Sequence, residues 1–492
     1  MTRPQRAFFL ILSLVACGES SGPPPAPPST DRPNLVVVIV DDLRWDEFGA
    51  GGHPFLETPH IDRLAAEGAL FTNAYHAVPL CSPNRATLLT GQFPSRHGII
   101  DNVARSLASH RLETFPQALQ AAGYRTAFLG KWHMGNDPTP RPGFDYWVAM
   151  PGQGRSVDPE LFENGELHVV PGYTTDLLTD RAISFIDREQ ERPFLVYLAH
   201  KAVHPDVVQR DDGSLDPESD QGYIPAPRHE GRYRDRTYPP RWRQADLRTD
   251  LSGKPAVRQA LARLPGWSDS GHAGHTGASW AGEATIRRRA EMILAVDEGL
   301  GRIMAKLDSL GMLDRTAIVL SSDNGFFFGE HGLTTERRLP YEESIRNPLL
   351  VRYPPRVPAG SRPNGLALTV DLAPTLLELA GVVVGPRIQG RSLVPLSAGT
   401  PAGWRESVLV EFYTYENPFP HLLDMDYRAI RTDRYKYIHW IQHPDQDELY
   451  DLSRDSLEVK NLAGDPALKG VKARLKEDLG RLVLRAIGLG ER

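Results

Sequence analysis

Cysteine is nearly missing from this chain: there are two, Cys17 and Cys81. A scaffold built on several disulfides is therefore excluded. Long apolar runs are missing too, and no stretch reaches the about 18 residues that suggest a membrane-spanning helix. Positive charge is not in excess. A formal net charge of -6 leaves no basic footprint for nucleic acid, so no such partner is expected. Internal repeats are also lacking. What remains is an ordinary globular composition over 492 residues, enough for one large α/β domain and a smaller one at roughly 100–200 residues per domain.

The N-terminus differs from the rest. Arg3 and Arg6 precede a short apolar run, Ala7 to Val15, which reads as a secretory signal. It ends in Leu14-Val15-Ala16-Cys17 followed by Gly18, which resembles the lipobox of bacterial lipoproteins, where the Cys is acylated. The Ser- and Pro-rich segment up to Arg32 cannot pack a core and reads as an extended tether. The expectation is a signal peptide over 1–16 and a lipid-anchored tether over 17–32. The protein would then sit in the bacterial cell envelope, at the outer membrane or on the periplasmic side. The exported domain would hold a single thiol, Cys81.

From Asn34 the pattern is that of alternating strands and helices. Asn34 to Val40 is a continuous β-branched run, as in a strand buried on both faces. Thr58-Pro59 marks a helix start, with Thr58 as N-cap. Phe115 to Ala122 predicts a helix, followed by a strand at Thr126 to Leu129. Phe194 to Ala199 and Thr316 to Leu320 predict further strands, separated by a long amphipathic helix from about Ala281 to Ser309. These imply an α/β fold with a large, mainly parallel sheet flanked by helices, over 33–387. Strands at Val408–Tyr413, Tyr427–Thr432 and Tyr435–Ile441, with a terminal helix from Pro466 to Leu489, imply a smaller α+β subdomain over 388–492. The irregular stretch from Asp206 to Ser279 reads as an excursion over the active face.

Polar groups collect where the strands stop. Asp41-Asp42, Lys131-Trp132-His133, His200 with His204, and Asp323-Asn324 each follow a predicted strand. In open α/β sheets ligands bind beyond the carboxyl ends of the strands. Asp41, Asp42 and Asp323 would repel one another in a site of low dielectric. A hard divalent cation removes that repulsion, and carboxylates with an Asn carbonyl suit Ca²⁺ or Mg²⁺. Arg85, Lys131 and Arg337 then suit an anionic substrate.

Cys81-Ser82-Pro83-Asn84-Arg85, with Thr90-Gly91 downstream, resembles the signature of the formylglycine-dependent sulfatases of the alkaline phosphatase-like superfamily. Thr58 to Leu64, Gly130 to His133, Ser322 to Gly325, Tyr341 to Arg346 and Ile430 to Tyr437 resemble further blocks of that family, the last two in structural roles. The resemblance implies that a maturation enzyme oxidises Cys81 to Cα-formylglycine. It implies Ca²⁺, with Mg²⁺ as the other choice, held by Asp41, Asp42, Asp323 and Asn324 beside residue 81. Hydration of the aldehyde would give two hydroxyls on one carbon, one of which attacks sulfur. Arg85 and Lys131 would stabilise developing charge, His204 would protonate the leaving alcohol, and His133 would accept the proton whose loss expels sulfate. Cys81, Arg85, Lys131, His133, His204 and Arg337 are thus the implied catalytic set.

Arg337 stands where many relatives carry Lys, with Arg338 as the other candidate. His200 stays open between substrate contact and core packing. Arg232, Arg234, Arg241, Trp242 and Arg243 either line a sugar-acid subsite or form a solvated loop. The implied substrate is a sulfated small molecule or glycan. Two other readings stay open: a phosphodiester or phosphonate ester hydrolase of the same superfamily, and a non-catalytic glycan-binding lipoprotein.

Overall fold

The Asn34–Val40 strand is buried at every position. Its alternate side chains divide the core in two: Val36, Val38 and Val40 face one apolar cluster, Leu35, Val37 and Ile39 the other. In the computed structural model, which describes residues 32–189, 191–237, 251–263, 282–333, 337–414 and 420–489, this strand sits inside a nine-stranded sheet. The order is Ala69–Phe71, Leu349–Arg352, Thr316–Ser322, Asn34–Val40, Phe194–His200, Arg125–Lys131, Tyr146–Met150, Glu160–Glu163 and Glu166–Val169. The five strands from Thr316–Ser322 to Tyr146–Met150 run parallel; the outer ones pair antiparallel.

Helices cover both faces, as a sheet buried on two sides requires. Thr174–Arg188, Glu283–Ser309 and Pro59–Glu67 pack Leu178, Ile293 and Leu64 against one. Cys81–Thr90, Phe115–Ala121 and Leu372–Leu379 pack Leu88, Leu119 and Leu376 against the other. The Cys81–Thr90 helix stops at Gly91, which takes a left-handed φ of 65° and donates to the Thr87 carbonyl at 2.8 Å. A side chain there would also press within 2.9 Å of Ile388, so two constraints select glycine.

The chain after Ile388 first returns Leu393, Val394 and Leu396 to the large core. It then forms a four-stranded antiparallel sheet from Ser407–Phe412, Tyr427–Thr432, Tyr435–Trp440 and Glu448–Asp451. One face of it carries the Lys469–Ala486 helix through Leu475 and Leu479. The other packs Val410, Ala429 and Ile438 against Val78 and Leu80, the residues leading into Cys81. Glu342 lies 3.3 Å from both Arg431 and Lys436, so the Tyr341–Arg346 and Ile430–Tyr437 blocks dock one another.

Three expectations change. The Asp206–Ser279 excursion is not wholly irregular: Val208–Gln209 pairs with Leu215–Asp216, and Pro255–Leu261 is a helix. The Glu448–Asp451 strand and the short outer strands of the large sheet were not foreseen. Thr58 stands at the N-cap position of Pro59–Glu67 without capping it. Its hydroxyl instead accepts from the Gly49 amide at 2.9 Å. The free helix amides of His60 and Ile61 donate to Asp297 Oδ1 of the long helix, at 3.0 and 2.7 Å. The signal, the tether up to residue 31 with Cys17, and Arg241, Trp242 and Arg243 lie outside the described residues.

Asp297→Ala is therefore expected to uncap that helix and lower stability by about 1–2 kcal/mol. Asp297→Asn, which keeps an accepting oxygen, is expected to lose less. Thermal unfolding of the two variants checks this; equal midpoints would show that the cap contributes nothing.

Candidate active site

Thr316–Ser322, Asn34–Val40, Phe194–His200 and Arg125–Lys131 are consecutive parallel neighbours, so their carboxyl ends open onto one edge. Val40 lies level with Ser322 on one side and His200 on the other. Asp41-Asp42 and Asp323-Asn324 consequently emerge together, and the Asp42 amide donates to Asp323 Oδ1 at 3.1 Å. Asp42 and His133 take left-handed φ angles of 58° and 65°, turning the chain sharply just past two of these strands.

Cys81 is the first residue of the Cys81–Thr90 helix, at the end where unpaired amides concentrate positive potential. The ligating atoms of Asp41, Cys81 and Asp323 lie within 4.8 Å of one another, all on buried residues. One turn on, Arg85 donates to Asp323 Oδ2 from Nε at 2.9 Å and to the Lys131 carbonyl from Nη1 at 2.7 Å. Its Nη2 lies 2.7 Å from Asp323 and 3.5 Å from Asp41. Lys131 pairs with Asp41, and Arg337 with Asp42 at 3.1 Å. Three carboxylates thus meet three cations in a site nearly closed to water, and the cluster is close to neutral.

Burial and the neighbouring Asp323 hold the Asp41 carboxyl above the usual range despite Lys131 and Arg85. Burial pushes the Cys81 thiol up to about 12. Asp41 Oδ1 and Asn324 Oδ1 are buried with no hydrogen-bond partner among the described residues. With Asp323 and a group at position 81 they form an oxygen-rich donor set that fits a hard divalent cation. Asp42 stands beside this set, its oxygens accepting from Asn324 Nδ2 at 2.7 Å and from Arg337 at 3.1 Å.

His204 is buried; its Nδ1 lies 2.8 Å from the Pro205 carbonyl, and its Nε2 lies 3.0 Å from Arg337 Nη2. A carbonyl only accepts and a guanidinium only donates, so this ring is neutral and carries its proton on Nδ1. Burial, Lys131 and Arg337 hold it well below the usual histidine range. Of the two arginines considered for the lysine-like position, Arg337 is the one in the cluster. His200 is buried at the same edge, pushed down to about 4 by desolvation. Arg232 and Arg234 are exposed, and Arg232 pairs with Glu57 at 3.3 Å.

Three amide side chains brace the site: Asn84, read from sequence as a variable position of the signature, and Gln153 and Gln209, which were not singled out. Asn84 donates to the Asp323 carbonyl at 2.6 Å and accepts from Thr369 at 2.7 Å, tying the Cys81 helix to the strand end. Gln153 accepts from Lys131, and Gln209 lies 2.6 Å from His133 Nε2. Gln153, between two glycines just after the Tyr146–Met150 strand, had a weak turn signal. Gln209 had none.

The sequence matches the family model described as Sulfatase over residues 33–382, and that of the N-sulphoglucosamine sulphohydrolase C-terminal region over 329–484. It is 34% identical to an N-acetylglucosamine-6-O-sulfatase of Bacteroides thetaiotaomicron, over 96% of this chain and 89% of that protein. A multifunctional alkaline phosphatase superfamily protein of Trinickia caryophylli is 29% identical, over 89% of this chain and 92% of its own length. A solved structure in complex with its substrate, D-glucosamine-2-N,6-O-disulfate, superposes with a TM-score of 0.78 at 32% identity, covering 93% of this chain and 98% of that one. The chain belongs to the sulfatase family of the alkaline phosphatase-like superfamily and is a sulfuric ester hydrolase.

Proposed function

We propose that this enzyme removes sulfate esters from sulfated amino sugars, the 6-O-sulfate of N-acetylglucosamine first among them, using formylglycine made from Cys81 and a bound Ca²⁺. The observation that carries the reaction is the convergence of Asp41, Cys81 and Asp323 within 4.8 Å, ringed by Arg85, Lys131 and Arg337. The sugar is suggested by the relative at 34% identity, an N-acetylglucosamine-6-O-sulfatase. The lipobox-like Leu14 to Cys17 supports a lipid-anchored enzyme acting outside the cytoplasm on external glycans.

Asp41, Asp323 and Asn324 would hold the cation, with Asp42 completing the set once Arg337 is drawn elsewhere. When both groups are in place, the hydrated aldehyde supplies two hydroxyls on one carbon and the cation stabilises negative charge beside them. Arg85 and Lys131 keep positive charge at the position of the transferred group. Arg337 leaves His204 Nε2 to meet the incoming anionic ester, and being always charged it binds without yielding a proton. His204 Nε2, released, can take up a proton and pass it to the departing alcohol. A sugar alkoxide is a poor leaving group, so that proton matters most for sugar esters. His133 would accept the proton of the second hydroxyl.

Peptide mass spectrometry of protein matured in its host is expected to show residue 81 lighter by about one water than cysteine; an unmodified thiol would end this mechanism. His204→Ala is expected to lower turnover of a sugar sulfate by about 10²–10⁴-fold, and that of an activated aryl sulfate far less. Equal losses on both would remove His204 as the acid. Released sulfate from a panel of 6-O-, 4-O-, 3-O- and 2-O-sulfated sugars checks the substrate, with the 6-O-sulfated amino sugar expected fastest. A larger rate on an aryl phosphodiester would favour the diesterase reading instead. Excess chelator is expected to lower the melting midpoint, because an ion held only by the folded protein stabilises that state by its binding. An unchanged melting curve would count against the ion.

A further inference from the structure

His133 bears on proton transfer only through the nitrogen that lacks a proton, and the side chains around it decide which nitrogen that is. Burial, Lys131, Arg85 and Arg337 hold the ring well below the usual histidine range, so it is neutral and has one N–H. Nε2 lies 2.6 Å from Gln209 Oε1, while Nδ1 is buried with no hydrogen-bond partner among the described residues. The orientation of Gln209 is fixed twice over. Its Nε2 donates to the Gly213 carbonyl at 2.7 Å, a group that only accepts. Its Oε1 accepts from Gln153 Nε2 at 2.8 Å. Gln153 is itself oriented by Lys131, whose ammonium only donates and takes Gln153 Oε1 as its acceptor.

Each link leaves one choice to the next. Lys131 requires the oxygen of Gln153, which leaves its NH₂ for Gln209. Gln209 must answer with oxygen, and His133 Nε2 must then be the donor. The backbone supports the arrangement: Ser82 Oγ donates to the His133 carbonyl at 2.5 Å, which holds this histidine beside the residue that follows Cys81. The hairpin carrying Gln209 is pinned where the Ala104 amide donates to the Asp211 carbonyl at 2.8 Å.

We propose that Gln153 and Gln209 are positioning residues that relay the donor character of Lys131 to His133, fixing its Nε2-protonated tautomer and keeping Nδ1 bare for proton transfer. This rests on the reading of His133 as the proton acceptor in sulfate release. The tautomer, however, can be measured without any turnover.

The test uses full-length protein with ¹⁵N-labelled histidine and Cys81 unmodified. Long-range ¹H–¹⁵N spectra report the tautomer, with His133→Gln assigning the signal. Wild type is expected to show Nε2–H. Gln209→Glu, which still accepts, is expected to keep it; Gln209→Met and Gln153→Met are expected to shift the ring toward a mixture. In matured enzyme both Met variants are expected to lose roughly ten- to a hundredfold in kcat at nearly constant KM, with Gln209→Glu recovering most of it. An Nδ1–H wild type, or an unmoved tautomer in both Met variants with melting curves like wild type, would overturn the relay. A moved tautomer with undiminished kcat would overturn the positioning role by removing His133 as the acceptor, and would leave sulfate hydrolysis itself standing.

Discussion

Burying Asp41, Asp42 and Asp323 at the ends of two adjacent parallel strands is the constraint on which the rest of the structure depends. Isolated carboxylates are costly in such surroundings, and proteins compensate by pairing them or by coordinating metal. Here the pairing groups come from far along the chain. Arg85 arrives on the Cys81–Thr90 helix, Lys131 at the end of the next strand but one, and Arg337 from the loop after the Thr316–Ser322 strand. Because these cations balance the acids nearly one for one, a divalent ion would leave surplus positive charge. That surplus suits an anionic ester, so the same arrangement that makes burial tolerable also sets the sign of the substrate.

Holding residue 81 at this cluster takes the whole frame. The small antiparallel sheet packs behind Val78 and Leu80, just before Cys81. Asn84 ties the helix to the Asp323 backbone and to Thr369, and Gly91 lets the helix end against Ile388. The two histidines are held as opposite neutral tautomers, His204 by Pro205 and Arg337, His133 by Gln209. In the proposed mechanism opposite roles in proton transfer follow from that difference: His133 offers a bare nitrogen, and His204 has to be charged first.

The strand ends were legible because continuous β-branched runs stop abruptly at polar pairs, and parallel topology then brings those ends to one edge. Asp41, Asp42, Lys131, His133, Asp323 and Asn324 could be grouped that way before any coordinates, whereas Cys81 and its helix neighbour Arg85 joined them through the resemblance of their stretch to the sulfatase signature. The outer strands were not legible. Leu349–Arg352 and Ala69–Phe71 are short, and their pairing follows from neighbours far away in sequence. Capping by Asp297 was hidden for the same reason: its partners at His60 and Ile61 lie more than two hundred positions upstream. The use of Gln153 and Gln209 was hidden in a different way. A buried amide has no periodicity and no charge, and only its hydrogen-bond partners reveal its use.

The claim beneath all of this is that acids from two strands share one ion at residue 81. A crystal structure of matured enzyme grown with calcium, with anomalous scattering data, tests it most directly. The expected result is one peak about 2.3–2.6 Å from oxygens of Asp41, Asp323, Asn324 and residue 81. An ion bound elsewhere, or Lys131 and Arg85 still filling that position with residue 81 turned into apolar packing, would contradict it.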